Sequence, residues 1–155
     1  MAYTNNGRTL ITKQPLYVVI SRKFLIPTQM MSMTRKLQVL LVEDTKIASL
    51  AVKSSVTSLN WQLDIVETGQ EAVLCAQNTH YDLILMDLGL PDISGITATK
   101  MIKQHNPRIP IVALTAHGDD EHKTLAQQAG MCDFIQKPFT LDKIQRVLTK
   151  VFHEF

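Results

Sequence analysis

Residues 83–95 read LILMDLGLPDISG: four apolar residues run into Asp87, and the chain then passes through two glycines and a proline. A continuous apolar run of this length is typical of a strand that is buried on both faces of a sheet. A carboxylate at the end of such a strand either caps the following turn or is held in place for chemistry. The segments on either side favour one of these interpretations.

Short apolar runs alternate with helical patterns from Leu37 onwards. The predicted strands are 38–42, 61–66, 83–86, 109–114 and 132–135. Helices are predicted from about Ile47, from a capping box that begins at Thr68, and over 96–105, 120–129 and 141–151. Five strand–helix units of this kind predict an α/β fold, with a parallel sheet covered by helices on both faces.

Polar residues follow four of the predicted strands. Glu43 and Asp44 follow the first strand, Asp87 the third, Thr115 the fourth and Lys137 the fifth. Ligands of parallel α/β sheets bind outside the carboxyl ends of the strands. Carboxylates gathered there repel each other unless a cation is present, and Mg²⁺ prefers oxygen ligands together with phosphate. The pattern therefore predicts a phosphoryl-transfer site in which a carboxylate can act as nucleophile.

The segment from Leu37 to Phe152 resembles the receiver domain of two-component response regulators. The resemblance rests on VEDTKI, LMDLGLPDISG, ALTAHG and FIQKPF, each at the end of an expected strand. It implies a flavodoxin-like (βα)5 fold with a five-stranded parallel sheet of order 2-1-3-4-5. Residues 37–155 would then form the receiver domain, and residues 1–36 an extension or linker.

The resemblance also implies a role for each strand-end residue. Asp87 would be the phosphoacceptor, Lys137 would contact a phosphoryl oxygen, and Thr115 would be the switch hydroxyl. A cis peptide before Pro138 would help to aim the lysine. The implied Mg²⁺ ligands are Glu43, Asp44, Asp87 and the backbone carbonyl of Gly89.

Further positions take their implied roles from the same resemblance. Phe134 matches the switch aromatic of the family, while Leu88 and Ala116 line the phosphoryl pocket. Gly89 and His117 occupy the two positions that modulate attack of water on the acyl phosphate. For Asp92 the sequence predicts a role within the turn that begins at Pro91.

The implied function is a phosphorylation-dependent switch in two-component signalling. A histidine kinase or histidine phosphotransfer protein would supply the phosphoryl group, and the surface of the fourth helix, fifth strand and fifth helix would engage a downstream protein or a second copy. LGLPDISG is similar to receivers of hybrid sensor kinases; in that case the chain would belong to a histidine kinase and relay phosphate to a histidine phosphotransfer domain. Beyond self-catalysed phosphotransfer and autodephosphorylation, no conventional enzyme activity is expected.

Two alternatives belong to other classes. A phosphatase with an aspartyl nucleophile expects Asp-x-Asp, whereas this chain has Asp87-Leu88-Gly89. A flavodoxin-like FMN-binding protein expects a phosphate-binding loop rich in Ser, Thr and Gly after the first strand. Here that loop holds Glu43 and Asp44, which repel phosphate in the absence of a metal.

The charge of the chain is unevenly distributed. Residues 1–36 carry six Lys/Arg and no Asp or Glu, whereas the rest carries ten Lys/Arg against fourteen Asp/Glu. Residues 16–20 and 24–26 of the basic segment are predicted strands. The segment is interpreted as an extension, as the result of an over-long start, or as a leader that binds anions. The receiver itself is not expected to bind nucleic acid. Cys75 and Cys132 form no metal motif, and no apolar run is long enough to span a bilayer, so a cytoplasmic location is predicted.

Overall fold

The computed structural model describes residues 36–116, 118 and 120–154, together with four short strands nearer the amino terminus. These strands are β1 (Thr4–Asn5), β2 (Arg8–Thr9), β3 (Tyr17–Ser21) and β4 (Phe24–Pro27). β1 pairs with β2, and β3 with β4, in two antiparallel two-stranded sheets. The chain separates into two compact units, residues 1–35 and 36–155.

Strands and helices alternate through the second unit. Its described elements are β5 (Gln38–Val42), α1 (Lys46–Ser58), β6 (Gln62–Val66), α2 (Gly69–Asn78), β7 (Leu83–Asp87), α3 (Gly95–His105), β8 (Ile111–Thr115), α4 (Asp120–Gln128), β9 (Asp133–Gln136) and α5 (Leu141–Glu154). The strands form one parallel sheet of order β6-β5-β7-β8-β9. Counted from β5, this is the predicted order 2-1-3-4-5, which confirms the flavodoxin-like fold.

The central strands are buried on both faces because their side chains alternate between two apolar layers. Leu83 and Leu85 of β7 pack in the layer that contains residues of α1 and α5, such as Val52 and Leu148. Ile84 and Met86 of the same strand point the opposite way, into the layer formed with residues of α2, α3 and α4. Continuous apolar runs therefore mark the middle of the sheet. The edge strand β6 has no fully buried residue and is mostly exposed, which matches its looser sequence pattern.

Local sequence signals explain several helix ends. The Thr68 hydroxyl accepts a hydrogen bond from the Glu71 N–H at 3.2 Å, as the capping box predicts for the start of α2. Ser94 accepts from the N–H of Thr97 in the same way at the start of α3. Gly130 has a φ of +96° just beyond α4, where only glycine adopts the left-handed conformation without strain.

Several strand boundaries differ from the prediction by one residue, and one differs by two. β8 begins at Ile111, two residues later than the predicted 109. The carbonyl of Ile109 instead accepts a hydrogen bond from the ammonium of Lys103, at 2.6 Å. Apolar periodicity cannot reveal this contact, because the lysine comes from the end of the preceding helix.

Candidate active site

Three carboxylates converge at the carboxyl edge of the sheet. Glu43 and Asp44 directly follow β5, and Asp87 is the last residue of the neighbouring β7. One oxygen of each side chain lies within 4.8 Å of the other two. Glu43 and Asp87 are only 1% and 5% exposed, whereas Asp44 faces solvent. The strand order thus produces the cluster that the sequence predicts.

Lys137 supplies the positive charge at this cluster. Its ammonium nitrogen lies 2.7 Å from Asp87 Oδ2 and 2.7 Å from Glu43 Oε2. Burial by itself lowers the pKa of this lysine, but hydrogen bonds and charge attraction from Asp87 and Glu43 outweigh burial, and the pKa is raised. An ammonium that is charged at neutral pH therefore lies between the two buried carboxylates.

Backbone contacts fix the Asp87 side chain from its other side. The N–H of Gly89 donates to Asp87 Oδ1 at 3.0 Å, so each carboxylate oxygen has its own donor. A Cβ at Gly95 would lie 2.0 Å from the carbonyl oxygen of Asp87, so only glycine permits the start of α3 to approach this closely. Asp87 is held rigidly where the sheet meets solvent.

The predicted switch residues lie on the two strands beyond Asp87. Thr115, 4% exposed, ends β8 next to β7, and its carbonyl accepts the N–H of Lys137 at 2.8 Å. Phe134 of β9 is half-buried and packs against the apolar layer that lies beneath α2, α3 and α4. The ammonium of Lys123 in α4 lies 4.9 Å from the centre of the Phe134 ring, a cation–π distance.

Three of the remaining predicted positions directly follow strands β7, β8 and β9. The N–H of Leu88 donates to the Leu114 carbonyl at 3.0 Å, and Ala116 is exposed directly after β8. The peptide between Lys137 and Pro138 is cis, as the resemblance implies. His117 lies outside the described residues.

The donor set fits a hard divalent cation. Three carboxylates face one ammonium, which leaves an excess of negative charge, and two of these carboxylates are almost fully buried. Buried charges are stable only when they are paired or bound to a metal. An all-oxygen set with one exposed carboxylate suits Mg²⁺, which keeps several water ligands.

Two contacts near the site could not be predicted from the sequence. The ammonium of Lys143, in the first turn of α5, donates to the carbonyls of Gln136 and Pro138 at 3.3 Å and 3.2 Å. These carbonyls flank Lys137, so Lys143 stabilises the segment that presents it. The only sequence signal is a lysine six residues further along the chain, which is also typical of a solvated helix surface.

Comparison with known proteins identifies the family. Residues 39–149 match the family described as "Response regulator receiver domain". The chain belongs to this family. Receiver domains are the phosphoacceptor modules of two-component signalling, and they interact with histidine kinases or phosphotransfer proteins.

Similar proteins include regulators and kinases that are much longer. The chain is 38% identical over 126 residues to transcription factor SKN7 of Chaetomium thermophilum. The aligned residues cover 79% of this chain and 16% of that protein. It is 31% identical over 148 residues to histidine kinase 5 of Arabidopsis thaliana, covering 77% of this chain and 16% of the kinase. The chain thus spans about a fifth or less of these relatives.

A solved receiver structure is similar along almost its whole length. The receiver domain of sensor histidine kinase PA1611 from Pseudomonas aeruginosa PAO1 has a TM-score of 0.71 and 35% identity, covering 77% of this chain and 99% of that one. It was crystallised with a magnesium ion coordinated in its active-site cleft. The receiver of a LuxO repressor protein from Vibrio parahaemolyticus is also similar, with a TM-score of 0.72, 29% identity, and coverage of 77% and 92%.

Proposed function

We propose that Asp87 accepts a phosphoryl group from a phosphohistidine of a partner protein, with Mg²⁺ bound at the adjacent carboxylates. The observation that carries this proposal is the position of the Lys137 ammonium, 2.7 Å from oxygens of both Asp87 and Glu43. The magnesium-bound receiver of PA1611 supports the choice of metal. Glu43, Asp44, Asp87 and the backbone carbonyl of Gly89 would hold the ion.

The reaction transfers one phosphoryl group without oxidation or reduction. A carboxylate oxygen of Asp87 forms the new P–O bond as the P–N bond to the partner's imidazole breaks. When bound, Mg²⁺ supplies positive charge to the phosphoryl oxygens. Lys137 supplies fixed charge at the same place, because it already contacts the attacking carboxylate. The Gly89 N–H holds the other carboxylate oxygen, which orients the nucleophile.

The conformational response would pass through Thr115 and Phe134. Thr115 ends the strand beside Asp87, so its hydroxyl can approach a phosphoryl group on that residue. Phe134 would follow that movement, and its contact with Lys123 links β9 to α4. Leu88 and Ala116 would border the phosphoryl pocket. The surface of α4, β9 and α5 would report the change to a downstream protein or a second copy.

Two positions in a signalling pathway are compatible with this function. The receiver could act on a downstream protein directly, or pass the phosphoryl group from a hybrid kinase to a histidine phosphotransfer domain. The relatives include both a regulatory protein and a hybrid kinase: regulatory protein LuxO of Vibrio cholerae is 36% identical over 105 residues, and hybrid signal transduction histidine kinase G of Dictyostelium discoideum is 34% identical over 133 residues. The FMN-binding alternative gains no support, because Glu43 and Asp44 occupy the loop after β5, where they would repel the phosphate of FMN.

A cytoplasmic location agrees with the state of the two cysteines. Cys75 and Cys132 are both free thiols, which suits a reducing compartment. Within the described residues, no helix has the length and apolar character needed to cross a membrane.

The test is phosphorylation by a small phosphodonor. The full chain incubated with Mg²⁺ and acetyl phosphate should gain the mass of one phosphoryl group, and Asp87→Asn should gain none. Asp142→Asn is the control, since it makes the same chemical change at an exposed residue of α5. Labelling that persists in Asp87→Asn would exclude this residue as the acceptor.

A second readout follows the site without requiring turnover. Beryllofluoride with Mg²⁺ should shift amide resonances of residues at the carboxyl edge, including those of Thr115 and Lys137. Trp61 is a poor reporter because it precedes β6, at the opposite edge of the sheet, where its ring contacts Phe152. Unchanged spectra would contradict the proposed site.

A further inference from the structure

The loop between β7 and α3, residues 88–94, is closed at its base. The N–H of Gly95 donates to the carbonyl of Leu88 at 3.2 Å, so the loop leaves and re-enters at one point. The loop carries Gly89, whose N–H holds Asp87 Oδ1 at 3.0 Å. The path of this loop therefore determines where the Gly89 backbone lies relative to Asp87.

The tip of the loop is tied to a different helix. Asp92 Oδ1 accepts the N–H of Gly69 at 2.8 Å, and Asp92 Oδ2 accepts the N–H of Gln70 at 2.9 Å. These N–H groups belong to the first turn of α2 and have no partner within their own helix. The sequence places Asp92 in a local turn, whereas its carboxylate reaches across to residues more than twenty positions earlier.

Close packing accompanies these two hydrogen bonds. A Cβ at Gly69 would lie 2.6 Å from Ile93 Cγ1 and 2.9 Å from the Ile93 carbonyl oxygen, so only glycine lets the loop approach the helix. Partial loss of hydration raises the pKa of Asp92, but the N–H groups of Gln70 and Gly69 outweigh it, and the pKa is lowered. The carboxylate is therefore ionised at neutral pH, and the positive end of the α2 dipole favours that charge.

We propose that Asp92 is a positioning residue for the phosphoacceptor site. By fixing the tip of the 88–94 loop to α2, it holds the Gly89 backbone beside Asp87 and so prepares the metal site before Mg²⁺ binds. Without this tie, the loop would keep its closed base and the packing of Ile93 against Gly69, but it would lose both hydrogen bonds to α2. The Gly89 carbonyl and N–H would then sample other positions. This inference rests on the proposed function, because it assigns Gly89 to the site that Asp87 forms.

Asp92 could also act only as a cap of α2, without any effect on the phosphoacceptor site. Substitution of Glu71, which caps the same end of the helix, distinguishes the two roles. Glu71 Oε2 accepts the N–H of Glu67 at 3.2 Å at the same end of the same helix. Both carboxylates are exposed and both accept backbone N–H groups there. Only Asp92 joins the helix to the 88–94 loop, so Glu71→Ala is matched for lost charge and lost capping.

The experiment measures Mg²⁺ affinity of the full chain by titration of amide resonances. Asp92→Ala should weaken Mg²⁺ binding about tenfold, the lower end of the loss seen when supporting contacts of metal ligands are removed. Glu71→Ala should leave the affinity close to that of the wild type. Hydrogen exchange of the Gly89 amide, measured without metal, should accelerate in Asp92→Ala and not in Glu71→Ala.

The outcomes separate this inference from the proposed function. If wild type binds Mg²⁺ and is phosphorylated, but Asp92→Ala matches it in affinity and in Gly89 exchange, the inference alone is overturned. Equal weakening in Glu71→Ala would also overturn it, because charge or helix stability would then be the cause. Asp92→Asn, which keeps the side-chain shape and one acceptor oxygen, should give a smaller weakening of the same kind, and it replaces Asp92→Ala should that variant not fold.

Discussion

Lys137 and Lys103 lie at opposite edges of the same sheet, and their ammonium groups meet opposite environments. Lys137 lies beyond the carboxyl end of β9 and contacts the carboxylates of Asp87 and Glu43. Lys103 lies at the end of α3 and donates to the backbone carbonyls of Pro107 at 3.2 Å and Ile109 at 2.6 Å, ahead of β8. Both side chains are half-buried.

The two pKa values move in opposite directions for this reason. Burial lowers the pKa of Lys103, and only a weak attraction from Cys132 opposes it. Burial acts on Lys137 too, but two carboxylates reverse its effect, and the pKa rises. Carbonyl oxygens accept hydrogen bonds without bringing a net charge, so they compensate less for lost hydration than carboxylates do. At the amino edge of the sheet, Lys103 thus donates to the carbonyls that follow a helix. At the carboxyl edge, Lys137 balances the charge of two carboxylates.

Lys137→Met should have the largest effect of the changes that test this comparison. The rate of phosphorylation by acetyl phosphate should fall on the order of 100-fold, because a preorganised charge that stabilises the transferring group is lost. Lys103→Met, which also replaces an ammonium with a thioether of similar length, should keep the wild-type rate. The measurement is the initial rate of the mass shift at saturating Mg²⁺.

The free energy of unfolding provides a second measurement on the same pair of variants. Without divalent cations, Lys137→Met should lower the free energy of unfolding by about 2 kcal/mol, less than for a fully buried pair because its side chain is 25% exposed. Mg²⁺ should restore part of this loss by balancing the carboxylates. A rate that survives in Lys137→Met, or that falls equally in Lys103→Met, would contradict the assignment of chemistry to one edge only.

Alkaline unfolding should distinguish the lysines by the sign of their pH dependence. Lys137, with a raised pKa in the folded state, contributes stability that is present below the ordinary value of 10.5 and is lost as pH rises through the folded pKa. Lys103, with a lowered pKa, carries a penalty while charged, which is relieved as pH rises from the folded pKa towards 10.5.

The measurement is urea unfolding of the wild type and of each methionine variant, in metal-free buffer, as pH is raised through this range. The stability advantage of the wild type over Lys137→Met should shrink as pH rises above 10.5. Its stability advantage over Lys103→Met should instead grow as pH rises towards 10.5 from below. Two advantages that change in the same direction would show that the neighbouring groups do not determine these shifts.

The same comparison explains what the sequence could predict. Asp87 and Lys137 were predictable because Asp87 ends a strand and Lys137 follows one, and the carboxyl ends of parallel strands meet at one edge. The buried strands were predictable from continuous apolar runs, such as Leu83–Met86. Lys103 and Asp92 were not predictable, because their partners are backbone groups of other segments. A carbonyl or an N–H carries no residue identity, so no sequence pattern reports such a contact.

Tyr81→Phe should have the smallest effect and tests whether the amino edge is purely structural. The Tyr81 hydroxyl donates to Asp64 Oδ2 of β6 at 2.8 Å, and burial together with Asp64 raises the pKa of the phenol, which stays protonated. Losing this hydrogen bond should reduce the free energy of unfolding by about 1 kcal/mol, since Asp64 is exposed and water replaces its donor. Urea unfolding measures the loss, and Asp64→Asn, which keeps one acceptor oxygen, should show a smaller one. Phosphorylation should continue at the wild-type rate, because Tyr81 precedes β7 at the edge opposite Asp87; a slower rate would mean that the two edges are coupled.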